Sequence, residues 1–175
     1  MDTAVFEKIF WDNRNALIRY CCNFCNNIEV AEDISQEVFI KFQENLTKFV
    51  DSNHYKPWLY RVARNLCLNH IRDQKLHGEK EKFVWTKSFF AATTQVYIVD
   101  SKKGPATEAI EKEAKNNLLI ALEDLPELNR NVILLKYSEE LTREEIAESM
   151  EISVPKVKYL LSNSLKALRE NKKII

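Results

Sequence analysis

The chain has 175 residues, enough for one medium domain or two small ones. Its two glycines and four prolines fall far below the roughly 12% of average usage, which argues against turn-rich sandwiches and barrels. A hydrophobic content of 45% and a charged content of 30% argue against wholesale disorder.

No apolar run reaches the roughly 18 residues of a membrane span. Met1-Asp2-Thr3 lacks the basic start and apolar core of a signal peptide. The expectation is a soluble, cytoplasmic, all-α protein with no direct membrane insertion. Basic and acidic groups balance at 26 each, which at first argues against a nucleic-acid binder. Their distribution matters more. Arg61, Arg64, Arg72 and Lys75 face Asp73 alone within 61–75, and Lys156, Lys158, Lys166, Arg169, Lys172 and Lys173 face Glu170 within 152–175. Acidic residues gather at 29–44 and 108–127. Two small basic zones in a neutral chain point to DNA contacts and a separate, charged protein partner.

In chain order, Phe6, Ile9, Phe10, Leu17, Tyr20 and Phe24 recur at helical spacing and predict a helix over 4–25. A second helix is expected over 31–48, with Ala31, Ile34, Val38, Phe42 and Leu46 inward and Asp51-Ser52-Asn53 as its breaker. Pro57 suits the first turn of a third helix, expected to run to 76 with Leu59, Val62, Leu66 and Ile71 buried. Residues 77–105 lose the helical period, yet carry Phe83, Val84, Trp85, Phe89, Phe90, Val96, Tyr97, Ile98 and Val99. Helices follow at 106–123, 127–138, 142–150 and 153–170. The expected architecture is a three-helix N-terminal domain (1–76), an irregular linker (77–105) and a helix-turn-helix C-terminal domain (106–175).

Cys22-x-x-Cys25 has metal-ligand spacing. No second such pair accompanies it, and Cys21, Cys22 and Cys25 lie on an apolar helix beside Tyr20 and Phe24. Reduced thiols are therefore expected, with no metal and no cofactor.

The strongest local signal is in the last quarter. Thr142 and Glu145 form a T-x-x-E capping box. Ile146, Ala147 and Met150 face inward, and Ala147 is small enough to admit another helix. A short turn leads to Ser153, a good N-cap, and Pro155 falls in the first turn of the next helix, where its missing N–H is harmless. This is the spacing of a helix-turn-helix, whose second helix would offer Val154, Lys156, Lys158 and Tyr159 to DNA. A hairpin used only for packing has the same pattern.

On the second helix, Asp33, Gln36, Glu37, Ile40 and Lys41 form one patch opposite the core stripe. An isoleucine there suits a partner helix; an ordinary solvated face is the alternative. On the third, Arg61, Arg64, Asn65, Asn69 and Arg72 share one side, with donors for phosphates and base edges. Phe49, His54, Tyr55 and Trp58 lie just ahead, and aromatic rings beside a basic helix suit unstacked bases. Trp58 taken alone fits a core role better.

Together these segments resemble bacterial sigma factors of the sigma-70 family, in the small extracytoplasmic-function (ECF) subgroup. Residues 31–41 (AEDISQEVFIK) look like the polymerase-binding helix, and residues 58–65 (WLYRVARN) like the promoter-melting segment. Leu125-Pro126 with Arg130, followed by the helix-turn-helix, looks like the promoter-reading domain. The resemblance covers about 5–75 and 110–170, in order. It implies a non-catalytic specificity subunit that binds core RNA polymerase and promoter DNA, without a small-molecule substrate. Core polymerase would meet Asp33, Gln36, Glu37, Ile40 and Lys41. The −10 element would meet Tyr55, Trp58, Arg61, Arg64, Asn65, Asn69 and Arg72. The −35 element would meet Arg130, Ser153, Val154, Lys156, Lys158 and Tyr159. An anti-sigma factor is a further partner the resemblance implies, and the linker would thread the polymerase cleft.

Two departures stand out. Glu151 occupies a turn position that usually holds glycine, and Leu160 and Asn163 stand where the family commonly has arginines. The alternatives are a stand-alone helix-turn-helix regulator, which leaves the N-terminal motifs without purpose, and a sigma-like interaction protein. No Gly-rich phosphate loop or nucleophile motif supports an enzyme.

Overall fold

A computed structural model describes residues 3–25, 27–49, 54–76, 118, 120–122 and 124–170. The linker and most of the helix expected over 106–123 lie outside the described residues. Every regular element among the described residues is helical. They form two compact units, each taken by itself below.

The N-terminal unit consists of α1 (Thr3–Cys25), α2 (Ile28–Glu44) and α3 (Tyr55–Leu76), with a short 3-10 turn at Leu46–Phe49. Each helix packs on the other two. Leu17, Tyr20, Cys21 and Phe24 of α1 meet Ala31, Val38 and Phe42 of α2 and Leu59, Tyr60, Ala63 and Cys67 of α3 in the core. Phe42 is an aromatic hub, with ring centroids of Phe49 at 5.4 Å, Trp58 at 5.9 Å, Tyr55 at 6.0 Å and Phe6 at 6.3 Å. Tyr20 and Tyr60 cross edge-on at 5.0 Å, a geometry that aligns the positive edge of one ring with the negative face of the other.

Two expectations need correction here. Helix α2 starts three residues early because Asn27, in an extended conformation, accepts hydrogen bonds from the amides of Glu29 (2.8 Å) and Val30 (3.3 Å), a cap worth about 1 kcal/mol. It ends at Glu44, not 48, where the Asn45 side-chain amide donates to the Lys41 carbonyl at 2.8 Å. Leu46 still reaches the core, from the 3-10 turn. On α3 the buried stripe is Leu59, Tyr60, Ala63 and Cys67, while Val62, Leu66 and Ile71 are only half-buried. Hydrophobicity ranks valine and leucine above alanine and cysteine. Close helix approach reverses the order, because small side chains let two backbones near each other.

The C-terminal unit contains α4 (Glu127–Tyr137), α5 (Arg143–Met150) and α6 (Val154–Glu170). Helix α4 packs on α6. Its core includes Val132, Ile133 and Leu135 of α4, Ile146 and Ala147 of α5, and Val157, Leu160 and Leu161 of α6. The capping box is complete. The Glu145 amide donates to Thr142 Oγ1 (3.2 Å), and the Thr142 amide donates to Glu145 Oε2 (2.7 Å). Helix α5 ends in a Schellman turn: the Ile152 amide donates to the Ala147 carbonyl (3.0 Å) and the Glu151 amide to that of Glu148 (3.3 Å). Glu151 carries it with φ 55°, at about 1 kcal/mol of backbone strain relative to glycine. Glu140 holds a second left-handed position, φ 59°, which no glycine or asparagine marks in the sequence.

Candidate nucleic-acid and partner-docking surfaces

The first surface lies on α2. Its apolar stripe turns inward, which leaves Asp33, Gln36 and Glu37 exposed and Lys41 half-buried on the far side. Glu37 and Lys41 pair at 3.3 Å across one helical turn. Such an exposed pair contributes little to stability; here it holds two opposite charges beside Ile40, which is 58% exposed. The five residues form one patch, with an apolar centre and a charged rim. That is the layout of a docking face for another helix.

The second surface runs along α3. Arg61, Asn65, Asn69 and Arg72 follow at spacings of four, four and three, opposite the buried stripe. Asn65, Asn69 and Arg72 are exposed and Arg61 is half-buried. Arg72 Nε lies 3.7 Å from Asp73. Arg64 sits on the flank of this face, and its Nε is shielded from water without a hydrogen-bond partner among the described residues. Tyr55 and Trp58 are half-buried and belong to the cluster around Phe42. They are not free-standing plates: each keeps part of its surface open above the core. Residues 50–53 of the adjoining loop lie outside the described residues.

The third surface is the start of α6. Ser153 caps the helix, its Oγ accepting from the Lys156 amide at 3.4 Å. Lys156 and Lys158 are exposed, Tyr159 is 59% exposed, and Val154 is half-buried. Lys156 Nζ lies 5.3 Å from the centre of the Tyr159 ring. This cation–π contact draws both side chains together on the first two turns of the helix.

Arg130 does not belong to this surface. It is 5% exposed, its Nε donates to the Leu122 carbonyl at 3.0 Å, and its Nη2 donates to the Leu125 carbonyl at 2.9 Å. The guanidinium fork thus ties the start of α4 to the segment before it. Leu160 also needs correction as a lost DNA contact. It is 5% exposed, so an arginine at that position of α6 would point into the core. Asn163 is exposed and remains a true loss of a cation. Sequence reasoning also passed over Asn129 and Ser164, which join α4 to α6 by a hydrogen bond of 2.9 Å; neither type is diagnostic at such long separation.

The four cysteines belong to α1 and α3 of the N-terminal unit. Cys21, Cys22 and Cys67 are buried and Cys25 is half-buried, all as free thiols. Burial pushes the Cys22 thiol up to about 12, helped by Cys25 and Glu32. Hydrogen bonding with Cys67, then burial, raises Cys25. Cys67 is raised by its hydrogen bond with Cys21 and by burial, against an opposing contribution from Cys25. Among the described residues no group of three His, Cys, Asp or Glu side chains could hold a metal ion. No helix there is long and apolar enough to cross a membrane.

Comparison with known proteins matches both units to one family. Sigma-70 region 2 matches residues 9–77, and sigma-70 region 4 matches residues 115–168. The ECF RNA polymerase sigma factor SigW of Bacillus subtilis is 31% identical over 169 residues, covering 97% of this chain and 89% of that protein. SigM of the same organism, another ECF RNA polymerase sigma factor, is 26% identical over 163 residues, 93% of this chain and 92% of its own. Among solved structures, the sigma factor RpoE of Bartonella quintana, crystallised in complex with the anti-sigma factor NepR, shares the fold with a TM-score of 0.66 at 18% identity, covering 94% of each chain. Two sigma regions in order, with a relative of this identity aligned from end to end, place the chain in the sigma-70 family as an ECF sigma factor.

Proposed function

We propose that residues 1–76 carry core-polymerase binding and −10 melting, that 77–105 form the linker, and that 106–175 read the −35 element. The observation that carries this assignment is the end-to-end likeness to an ECF sigma factor with both regions in order. The α2 patch (Asp33, Gln36, Glu37, Ile40, Lys41) docks a helical element of core RNA polymerase. The α3 face, with Tyr55 and Trp58 at its start, receives the opened −10 strand. Extruding a base costs a few kcal/mol. Stacking of about 1–3 kcal/mol per base, with charge-assisted contacts from Arg61, Arg64 and Arg72, offsets it. Ser153, Val154, Lys156, Lys158 and Tyr159 enter the major groove at −35. Arg130 acts behind them as a clasp.

In this role the chain is a non-catalytic subunit that works in the cytoplasm. An anti-sigma factor is a proposed further partner, of the class crystallised with the Bartonella protein. The test is co-elution of the purified chain with bacterial core RNA polymerase, beside a charge-reversed Asp33→Lys/Glu37→Lys variant. Binding by the parent chain and its loss in the variant are expected. Failure of the parent chain to bind would refute the assignment.

A further inference from the structure

We propose that Asn129 and Ser164 form a register pin that sets which face of α6 is turned to the DNA, making both positioning residues for −35 reading. The proposal rests on the assignment of α6 as the promoter-reading helix. Ser164 is completely buried in a stripe otherwise made of Val157, Leu160 and Leu161. Its Oγ donates to the Leu160 carbonyl at 2.7 Å. From α4, Asn129 Nδ2 donates to the same Oγ at 2.9 Å and reaches the Leu160 carbonyl at 3.4 Å. The Asn129 carbonyl lies 3.4 Å from that Oγ as well. Two polar atoms of one α4 residue therefore converge on a single hydroxyl of α6.

Packing alone does not require this arrangement. An alanine would fill the Ser164 position, and replacing both partners of a buried hydrogen bond is close to neutral for stability. What the pair adds is direction. A leucine stripe tolerates small rotations about the helix axis, whereas a hydrogen bond weakens steeply off line. A rotation of about 20° carries a side chain at a radius of about 5–6 Å through roughly 2 Å. That displacement breaks a base-edge contact. Val154 to Tyr159 lie on the same continuous helix, between one and three turns ahead of Ser164, and Ser153 caps that helix, so the register held at Ser164 reaches them unchanged.

The test uses holoenzyme reconstituted from the full chain and core polymerase. Parent, Asn129→Leu, Ser164→Ala and Leu161→Ala holoenzymes each select from a promoter library randomised over the −35 hexamer. Asn129→Leu roughly keeps the side-chain volume, removes the donor and leaves no side-chain acceptor to which the Ser164 hydroxyl could turn; Ser164→Ala removes the hydroxyl and favours helix. Leu161→Ala is a packing control. The expected result is that best-over-mean hexamer enrichment falls about tenfold for Asn129→Leu and Ser164→Ala, while core affinity stays within twofold of the parent. Leu161→Ala keeps its enrichment despite lower thermal stability. Enrichment within twofold of the parent in Asn129→Leu and Ser164→Ala overturns the pin. So does an equal loss in Leu161→Ala, which would reduce the effect to packing. A parent holoenzyme with no −35 preference would instead refute the promoter-reading assignment itself, and the pin with it.

Discussion

Replacing Ile40 by alanine isolates the apolar centre of the α2 patch. Complete burial of an isoleucine side chain contributes about 1.5–3 kcal/mol. In the free chain 58% of Ile40 is exposed, so docking has roughly 1–1.5 kcal/mol left to gain there. Ile40→Ala should therefore weaken binding to core polymerase about five- to tenfold, since 1.4 kcal/mol is tenfold. The free protein should hardly change, because the better helix propensity of alanine offsets the modest burial lost. A titration of labelled chain with core polymerase, paired with thermal unfolding of the free chain, measures both quantities. Unchanged affinity would mean that the partner does not cover Ile40, and the docking face would lie elsewhere. A large drop in melting temperature would mean that Ile40 is a core residue.

Other outcomes follow from the same structure. Arg130→Ala should cost the C-terminal unit about 3 kcal/mol in a urea titration, since it removes two charge-assisted bonds to the Leu122 and Leu125 carbonyls; a loss under about 1 kcal/mol would contradict the clasp. Glu151→Gly should raise stability by about 0.5–1 kcal/mol, seen as a few degrees in melting temperature, because φ 55° is free for glycine; the same change at Glu144, inside α5, should lower it. The raised Cys22 thiol, from 9.0 towards about 12, means that the folded state keeps its proton longer than the unfolded chain. Its contribution to stability is complete below pH 9.0 and is lost as pH rises towards 12. Cys22→Ala should flatten the alkaline fall of the urea midpoint, and an unaltered slope would exclude that thiol as a source.

Local sequence logic accounts for much of this protein. A stripe of apolar residues at helical spacing determined where α1 forms, because amphipathic periodicity is a property of neighbouring residues. The Thr142–Glu145 box and the Ser153 cap marked helix starts for the same reason, since their hydrogen bonds span only three residues. The α2 patch was equally legible: one stripe facing the core leaves the other side to solvent.

Tertiary structure alone decided what depended on distant partners. Arg130 has the composition of a DNA contact, and only the nearby carbonyls of Leu122 and Leu125 turn it inward. Ala63 and Cys67 displaced Val62 and Leu66 from the core of α3 because helix spacing, not side-chain hydrophobicity, sets what fits. Tyr55 and Trp58 were drawn into the cluster around Phe42. Asn129 and Ser164, 35 residues apart, form a bond that no local pattern encodes. Short-range hydrogen bonds and periodicity are written along the chain; the fate of an arginine, an aromatic ring or a lone serine depends on what the fold brings beside it.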